Sequence, residues 1–197
     1  MKFSHFSQEY LEQFLLQNQV VELCKEPITL QSGATSHCYV DFRKICSDMV
    51  LQDTLADFYL KRLGQLEDSW PCPETILGVS EGMTSLGERM QYMLNEHRGM
   101  SHLSRLRAKS KAHGKSAQRH FLGVPQGSIY LVEDTLTTGA SLERDLQRTL
   151  SYTQETDKTC VAGVLIGCDR LVPNEQGKTA QERIPETYGV KVASLTD

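Results

Sequence analysis

Residues Ile129 to Ser141 read IYLVEDTLTTGAS and contain the most informative pattern in the chain. Four apolar residues lead directly into two neighbouring carboxylates, Glu133 and Asp134, and a hydroxyl-rich turn containing Gly139 follows. A short apolar run of this kind is typical of a buried strand, and the turn after it predicts the start of a helix. The two acids therefore come at the end of a strand, where they either cap the next helix or hold a polar ligand.

Strand-like and helix-like segments alternate around this stretch. The predicted strands are residues 75–80, 102–107, 128–132, 159–167 and 190–195. The predicted helices are residues 82–97, 140–152 and 177–189, the last interrupted by Pro185. Such alternation predicts an α/β fold, in which βαβ units build a mostly parallel sheet with helices on both faces. Ligands of such sheets bind beyond the carboxyl ends of the strands, where the two acids are expected.

Two helices and one hairpin are predicted before this sheet. They cover residues 8–21 (helix), 28–42 (hairpin) and 48–64 (helix). Ser7 is the predicted N-cap of the first helix, and Asp48 and Gly64 are the predicted ends of the second. The hairpin is expected to turn at Ser32 and Gly33.

Composition indicates one soluble globular domain spanning residues 1–197. The chain is 39% hydrophobic and 23% charged, and no apolar run approaches the ~18 residues of a membrane span. Its net charge of −4 argues against nucleic acid as a partner. Six cysteines, at positions 24, 38, 46, 72, 160 and 168, show neither CxxC pairs nor metal-binding spacing, and they predict reduced thiols in a cytoplasmic protein.

One segment departs from this acidic average. Residues 97–132 contain no Asp or Glu but seven arginines and lysines: Arg98, Arg105, Arg107, Lys109, Lys111, Lys115 and Arg119. A cationic segment in an acidic protein suggests a local anionic ligand, and the alternative is a solvated basic loop. Residues 109–127 lack periodicity and predict a long mobile loop, which in a compact domain is usually functional.

The turn after the two acids has the groups that bind a phosphate. The backbone N–H groups of a helix start are joined there by the hydroxyls of Thr135, Thr137, Thr138 and Ser141. Gly139 lets the backbone approach a ligand closely. Adjacent acids beside an anion site suit a sugar whose hydroxyls neighbour a phosphate, such as a ribose 5-phosphate. The P-loop and GxGxxG nucleotide motifs are both missing from the sequence.

VEDTLTTG, behind its apolar strand, resembles the phosphoribosyl-pyrophosphate (PRPP) motif of type I phosphoribosyltransferases. Three further segments resemble orotate phosphoribosyltransferases in the expected order: ITLQSGATSHCYVDFRKI, RAKSKAHG and DRLVPNEQGKTAQERIPETYGVKVASL. The resemblance implies a type I phosphoribosyltransferase fold, with a mostly parallel central sheet flanked by helices. It also implies a small N-terminal hood over residues 1–47 and a mobile catalytic loop over residues 108–120.

The resemblance also implies a reaction. The family transfers the 5-phosphoribosyl group from PRPP to orotate, which yields orotidine 5′-phosphate and pyrophosphate in pyrimidine synthesis. Its cofactor, Mg²⁺, is held mainly by PRPP, so no direct protein ligand to the metal is expected. Members of the family form homodimers in which the mobile loop crosses to the partner's active site.

Residue roles follow by matching the motifs. The residues expected to bind PRPP are Lys109, Glu133, Asp134, Thr135, Thr137, Thr138, Gly139, Ala140 and Ser141. The catalytic residues are expected to be Arg107, Lys111, His113 and Asp134. The residues expected to bind orotate are Tyr39, Thr137 and Arg170.

Several positions depart from the family pattern. They are Gln31 for a usual Lys, Ser80-Glu81 for a usual Tyr-Lys, Ala108 for a basic residue, and His37-Cys38 for Pro and an aromatic. Three cationic contacts to pyrophosphate are therefore missing or moved. These losses favour, as one alternative, a PRPP- or nucleotide-binding regulator without turnover. The altered hairpin favours another, a phosphoribosyltransferase for a different nucleobase.

Overall fold

The structure is a computed structural model that describes residues 5–29, 33, 35–66 and 68–196. Its elements are α1 (Gln8–Gln17), β1 (Val21–Thr29), β2 (Thr35–Val40), α2 (Met49–Leu66), β3 (Thr75–Gly78), α3 (Thr84–Arg98), β4 (Arg105–Leu106), α4 (Ser116–His120), β5 (Phe121–Leu122), β6 (Gly127–Leu136), α5 (Ala140–Gln154), β7 (Thr159–Asp169), α6 (Ala180–Tyr188) and β8 (Lys191–Thr196). A 3₁₀ helix covers Phe42–Lys44. None of the helices in the described part of the chain is long and apolar enough to span a bilayer.

The centre of the molecule is a four-stranded parallel sheet in the order β3-β6-β7-β8. The predicted α/β class and parallel sheet are confirmed. Side chains of β6 alternate between two apolar clusters: Tyr130 and Val132 face one, and Ile129 and Leu131 face the other. Because both faces of the strand are covered, its sequence reads as an unbroken apolar run.

Helices cover the sheet on both sides. α1, α2 and α3 contribute buried residues to one cluster, whereas α5 and α6 contribute to the other. Two layers of helices on one sheet bury both apolar faces, which is the arrangement that the alternating segments predict. The carboxyl ends of β3, β6 and β7 meet at one edge of the sheet, where the two acids lie.

The predicted hairpin is present, and it is longer than expected. β1 and β2 pair antiparallel, beginning with Val21 opposite Val40. Because this pairing draws the chain into a strand, α1 ends at Gln17 rather than near residue 21. Ser7 caps α1 as predicted, its side chain accepting from the N–H of Tyr10 at 3.4 Å. Gly33 has φ +83°, whereas Ser32 lies outside the described residues.

Two predicted helix breaks are wrong. Gly64 lies inside α2, which continues to Leu66 because Leu63 still packs into the core. Pro185 lies inside an uninterrupted α6 and removes one backbone hydrogen bond. In each case tertiary packing offsets an unfavourable local propensity. For α6 the burial of Ile184 (0% exposed) is part of that packing.

The basic segment has more structure than its sequence indicates. β4 and β5 pair antiparallel, with Leu106 opposite Phe121, and α4 precedes β5. The predicted strand over residues 102–107 is only the two-residue β4. Leu106 and Phe121 are both buried in the apolar cluster under α5. These two side chains therefore anchor the segment to the domain. The sequence carries no sign of this anchoring, because the segment lacks hydrophobic periodicity.

Candidate active site

The two acids lie within β6 rather than after it. β6 ends at Leu136, four residues beyond the predicted end at Val132. It is longer because its pairing with β7 continues until Leu136 lies opposite Asp169. Glu133 is buried, at 5% exposure, and Asp134 is half-buried. The strand therefore presents its carboxylates at the edge of the sheet as part of the rigid central ladder.

Glu133 is held from two sides. Its carboxylate accepts a hydrogen bond from the Ser141 hydroxyl at 3.0 Å, and its backbone carbonyl accepts one from the Tyr59 hydroxyl at 2.8 Å. Burial, followed by the neighbouring charge of Asp134, raises the pKa of Glu133 to about 8. A ligand that offers hydroxyl donors or positive charge would relieve this repulsion.

The acids do not cap α5. Its N-cap is Gly139, and no described side chain makes a capping hydrogen bond there. The Asp134 carboxylate accepts instead from the N–H of Thr135 at 2.6 Å. Of the two interpretations of the acid pair, helix cap or ligand site, the geometry favours the ligand site.

The turn between β6 and α5 is fixed from behind by α6. Arg183 donates to the carbonyl of Thr138 at 2.8 Å and pairs with Glu143. Gly139 has φ +81°, and a Cβ placed on it would lie 3.1 Å from the Cβ of Ala180. The turn needs glycine for both its conformation and its space. Thr138, Ala140 and Ser141 are exposed on the turn, while Thr135 and Thr137 are half-buried.

The loop after β3 faces the acids from the other side. A Cβ on Gly82 would lie 3.7 Å from a carboxylate oxygen of Asp134. Ser80 donates from its N–H and its hydroxyl to the buried carboxylate of Asp145, at 2.9 and 2.6 Å. Glu81, which lies between Ser80 and Gly82 in the sequence, is exposed. The acid pair therefore lies between this loop and the turn of residues 135–141, called the phosphate-type turn because its groups suit a phosphate.

Arg170 connects the end of the sheet to the hairpin. Its N–H donates to the Leu136 carbonyl at 2.9 Å, and its guanidinium donates to the Ser36 hydroxyl at 3.3 Å and to the Cys38 carbonyl. These side chains line a cavity of about 460 Å³ between α1, the hairpin and the ends of β7 and β8.

The other two residues expected to bind orotate lie elsewhere. Tyr39 is not among the residues that line the Arg170 cavity, and its hydroxyl contacts Arg43 at 3.0 Å and Asp41 at 3.5 Å. Thr137 lines a separate cavity of about 350 Å³ together with Thr138, Lys178 and Arg183. In this structure the three residues therefore do not line one common cavity.

The basic residues form a cluster of their own. Arg107, Lys111 and His113 line a cavity of about 470 Å³ to which neither Glu133 nor Asp134 contributes. The guanidinium of Arg107 donates to the carbonyls of Gln118 and Phe121, at 3.2 and 3.0 Å. Lys109, Lys111 and His113 are exposed. Within one chain, the expected loop residues and the acid pair occupy separate places.

Similarity to known proteins was found by sequence and by structure, although no family model matches the chain. A curated orotate phosphoribosyltransferase of Cereibacter sphaeroides is 32% identical over 117 residues. The match covers 59% of this chain and 48% of the relative. The chain therefore spans about half the length of the curated relatives that it matches.

Solved structures match almost the whole chain. The crystal structure of an orotate phosphoribosyltransferase from Francisella tularensis has a TM-score of 0.68 over 95% of this chain and 85% of that chain, at 19% identity. One from Aeropyrum pernix has a TM-score of 0.64 over 94% and 92%, at 25% identity. The chain has the type I phosphoribosyltransferase fold. The fold that the motifs imply is thereby confirmed.

Within this phosphoribosyltransferase fold, the sequence pointed to the residues of the acid pair and the turn but missed those that hold them. Tyr59 stabilises Glu133, and Asp145 stabilises the loop after β3. Arg183 stabilises the turn. Each lies on a helix distant in sequence from its target, so spacing carries no signal for the contact. Asp145 had one local cue, since an acid on the apolar face of a predicted helix requires a partner.

Proposed function

We propose that the chain transfers the 5-phosphoribosyl group from PRPP to orotate, giving orotidine 5′-phosphate and pyrophosphate for pyrimidine synthesis. The observation that carries the proposal is the acid pair Glu133 and Asp134 at the carboxyl edge of the sheet, followed at once by a phosphate-type turn. The fold shared with orotate phosphoribosyltransferases supports it.

The acids act on the ribose. Both carboxylates accept hydrogen bonds from the ribose hydroxyls, which offsets the burial and repulsion that raise the pKa of Glu133. As pyrophosphate leaves C1 the ring becomes oxocarbenium-like, and the half-buried Asp134 stabilises its positive charge. The 5-phosphate is bound by the turn residues Thr135, Thr137, Thr138, Gly139, Ala140 and Ser141.

Mg²⁺ is the proposed cofactor, held mainly by PRPP. The acid pair fits such an ion, since a half-buried carboxylate beside a buried one leaves a local excess of negative charge. When bound, the ion neutralises charge on the pyrophosphate oxygens. The chain's own contribution would be to orient the ribose through Glu133 and Asp134.

Arg170 is the proposed anchor for the base. A guanidinium can bind the orotate carboxylate through two parallel hydrogen bonds. Support comes from its place in a cavity of about 460 Å³, a size typical of small-ligand sites. Tyr39 and Thr137 are proposed to complete the base site when the hairpin, part of a hood over residues 1–47, closes on substrate.

The basic loop, residues 108–120, is proposed to act on pyrophosphate. Arg107, Lys109, Lys111 and His113 would neutralise the leaving group, and a segment without acids avoids repelling it. In one chain these residues line a cavity apart from the acids, which supports a homodimer whose loops cross to the partner's site. The whole chain is proposed to act as one domain, in the cytoplasm, where its six cysteines, none of which forms a disulfide, stay reduced.

One observation favours a different base. Cys38 stands in the hairpin where the family has an aromatic residue, and it lines the Arg170 cavity. A phosphoribosyltransferase for another nucleobase is therefore the second candidate. A regulator without turnover is favoured by Ala108 and by the exposed Glu81, while Gln31, the third altered position, lies outside the described residues.

One assay separates these functions. The protein is incubated with Mg²⁺ and PRPP against orotate, uracil, hypoxanthine and adenine, and pyrophosphate release is followed. Turnover with orotate alone supports the proposal, and turnover with another base alone refutes it. Binding of PRPP without turnover on any base supports the regulator.

A loop variant tests the proposed mechanism. Lys111→Ala is expected to remove most turnover while the fold remains, because a charge-assisted contact to pyrophosphate is lost, worth ~1.5–3 kcal/mol. Steady-state kinetics and a thermal melt measure both properties. Lys115→Ala, an exposed lysine of the same loop with no assigned role, is the matched control. Near-wild-type activity of Lys111→Ala would refute the loop assignment.

A further inference from the structure

A second buried carboxylate lies beside the candidate active site. Asp145, in the second turn of α5, is 0% exposed. Its two oxygens accept hydrogen bonds from Ser80, Arg144 and Arg148. A buried charge is tolerated only when it is paired and hydrogen-bonded, so this carboxylate depends on all three partners. None of the roles proposed above uses it.

On one side, Asp145 holds the backbone after β3. The N–H and hydroxyl of Ser80 both donate to Oδ2, and Arg144 donates to the Ser80 carbonyl at 2.9 Å. All three polar groups of Ser80 are therefore attached to α5. Two residues further along, a Cβ placed on Gly82 would lie 3.7 Å from a carboxylate oxygen of Asp134, so the loop passes close to that side chain. The position of this loop relative to Asp134 is thus set through Asp145.

On the other side, Asp145 holds the stem of the basic loop. Oδ1 accepts from Nη1 of Arg148 at 3.0 Å, and the same Nη1 donates to the Arg107 carbonyl at 3.2 Å. The N–H of Arg107 donates to the His120 carbonyl at 2.8 Å, which closes the stem. A single guanidinium therefore connects the buried carboxylate to the loop.

We propose that Asp145 is a positioning residue that holds the β3 loop (residues 80–83) and the stem of the basic loop in one fixed relation to Asp134. The proposal rests on the proposed function, in which the β3 loop lies beside this chain's own acid pair and the basic loop acts on pyrophosphate in the partner's site. Asp145 itself touches no substrate. The 5-phosphate turn is independent of it, because that turn is held from α6 by Arg183.

Asp145→Asn tests this role, because it keeps the size of the side chain and removes the charge that pairs both guanidinium groups. We expect kcat/KM for PRPP to fall about 100-fold, the effect of a displacement of about 1 Å at a reacting centre. Affinity for ribose 5-phosphate, which lacks the pyrophosphate, stays at the wild-type value because the turn is unaffected. Equal losses for both ligands would overturn the proposal.

Gln91→Met is the matched control. Gln91 is also 0% exposed and holds a backbone N–H, that of Ile76 at 2.6 Å, but it lies on α3. We expect this variant to lower the melting temperature with kcat/KM for PRPP unchanged. If Gln91→Met loses as much activity as Asp145→Asn at a similar melting temperature, Asp145 acts through stability alone and the proposal is wrong.

Limited trypsin digestion tests the same link without turnover. In the free protein, cleavage after Lys109, Lys111 and Lys115 is expected to be faster in Asp145→Asn, by roughly a factor of 5 to 30, because the stem opens more often. Gln91→Met should be cleaved at the wild-type rate. If the wild type neither binds PRPP nor turns over, the proposed function fails, yet this readout still decides the role of Asp145. Unchanged cleavage overturns it.

Arg148→Met provides a second variant, in case Asp145→Asn does not fold. This variant removes only the contact between Asp145 and the stem of the basic loop. We therefore expect faster tryptic cleavage of the basic loop, while the contacts of Asp145 to Ser80 remain. The double variant, where it folds, should lose no more activity than Asp145→Asn alone, because the two residues act in one chain of contacts. Losses that multiply would show independent roles and overturn the proposal.

Discussion

Among single residues, Glu133 indicates most clearly which kind of ligand the candidate site would bind. It lies buried beside Asp134, and the Ser141 hydroxyl donates a hydrogen bond to its carboxylate. Burial, followed by the neighbouring charge of Asp134, raises its pKa, and ribose hydroxyls together with Mg²⁺ would offset both effects. A residue whose own surroundings disfavour its charge is typical of a functional site.

Glu133 should make stability depend on pH. Its pKa rises from 4.5 to about 8 on folding, so folding disfavours the ionised form. The stability that the protonated carboxyl provides is fully present below pH ~4.5 and is lost as the pH rises through about 8. Glu133→Gln removes this titration. We expect the variant to match the wild type at pH 5 and to melt higher at pH 9.

Thermal melts from pH 5 to pH 9 measure this difference. Glu96→Gln, at an exposed position on α3, is the control for the loss of one carboxylate. A difference between Glu133→Gln and the wild type that stays constant over the range would contradict the burial argument.

Among the structural elements, the turn into α5 has its conformation fixed both by its own glycine and by contacts from α6. Its N-cap glycine, Gly139, has φ +81° and lies against Ala180, while Arg183 holds the carbonyl before it. The sequence pattern predicted this turn because a positive φ requires glycine. The pattern could not predict that α6 supports it, since the contact joins elements more than 40 residues apart.

Gly139→Ala should therefore cost more than backbone strain alone. Gly177 has a similar φ, +77°, with nothing within 4 Å of an added Cβ, so Gly177→Ala isolates the strain, about 1–2 kcal/mol. Gly139→Ala adds the crowding against Ala180 and should weaken ribose 5-phosphate binding as well. Denaturant unfolding and titration calorimetry measure the two effects. Equal losses of stability, with binding unchanged, would refute the packing argument.

At the scale of the whole molecule, the separation of the acids from the basic loop is the main feature. Arg107, Lys111 and His113 line one cavity, while Glu133 and Asp134 lie at the edge of the sheet. A site that needs both sets is completed most simply by the loop of a second copy, which is the proposed homodimer.

Mixing two inactive variants tests that dimer. Lys111→Ala lacks the loop cation and Asp134→Asn lacks the ribose carboxylate, so each alone should be nearly inactive. After mixing and exchange, half of the dimers are mixed, and one of their two sites has both residues intact. Activity should recover to about one quarter of the wild-type value. No recovery despite subunit exchange would show that the loop acts within its own chain.

Sequence patterns were sufficient to predict the parallel α/β class and the glycine turn that follows the acid pair, whereas the role of Arg170 as the base anchor stays a prediction. These features depend on local patterns, namely apolar runs, glycine and hydroxyl spacing, and motif order. Long-range contacts, by contrast, make β6 continue past Glu133 and let α2 and α6 run through Gly64 and Pro185. They also connect Asp145 to two loops. The physical reason is that strand pairing, helix packing and burial of a charge are set by partners distant in sequence, whose energies exceed local propensity.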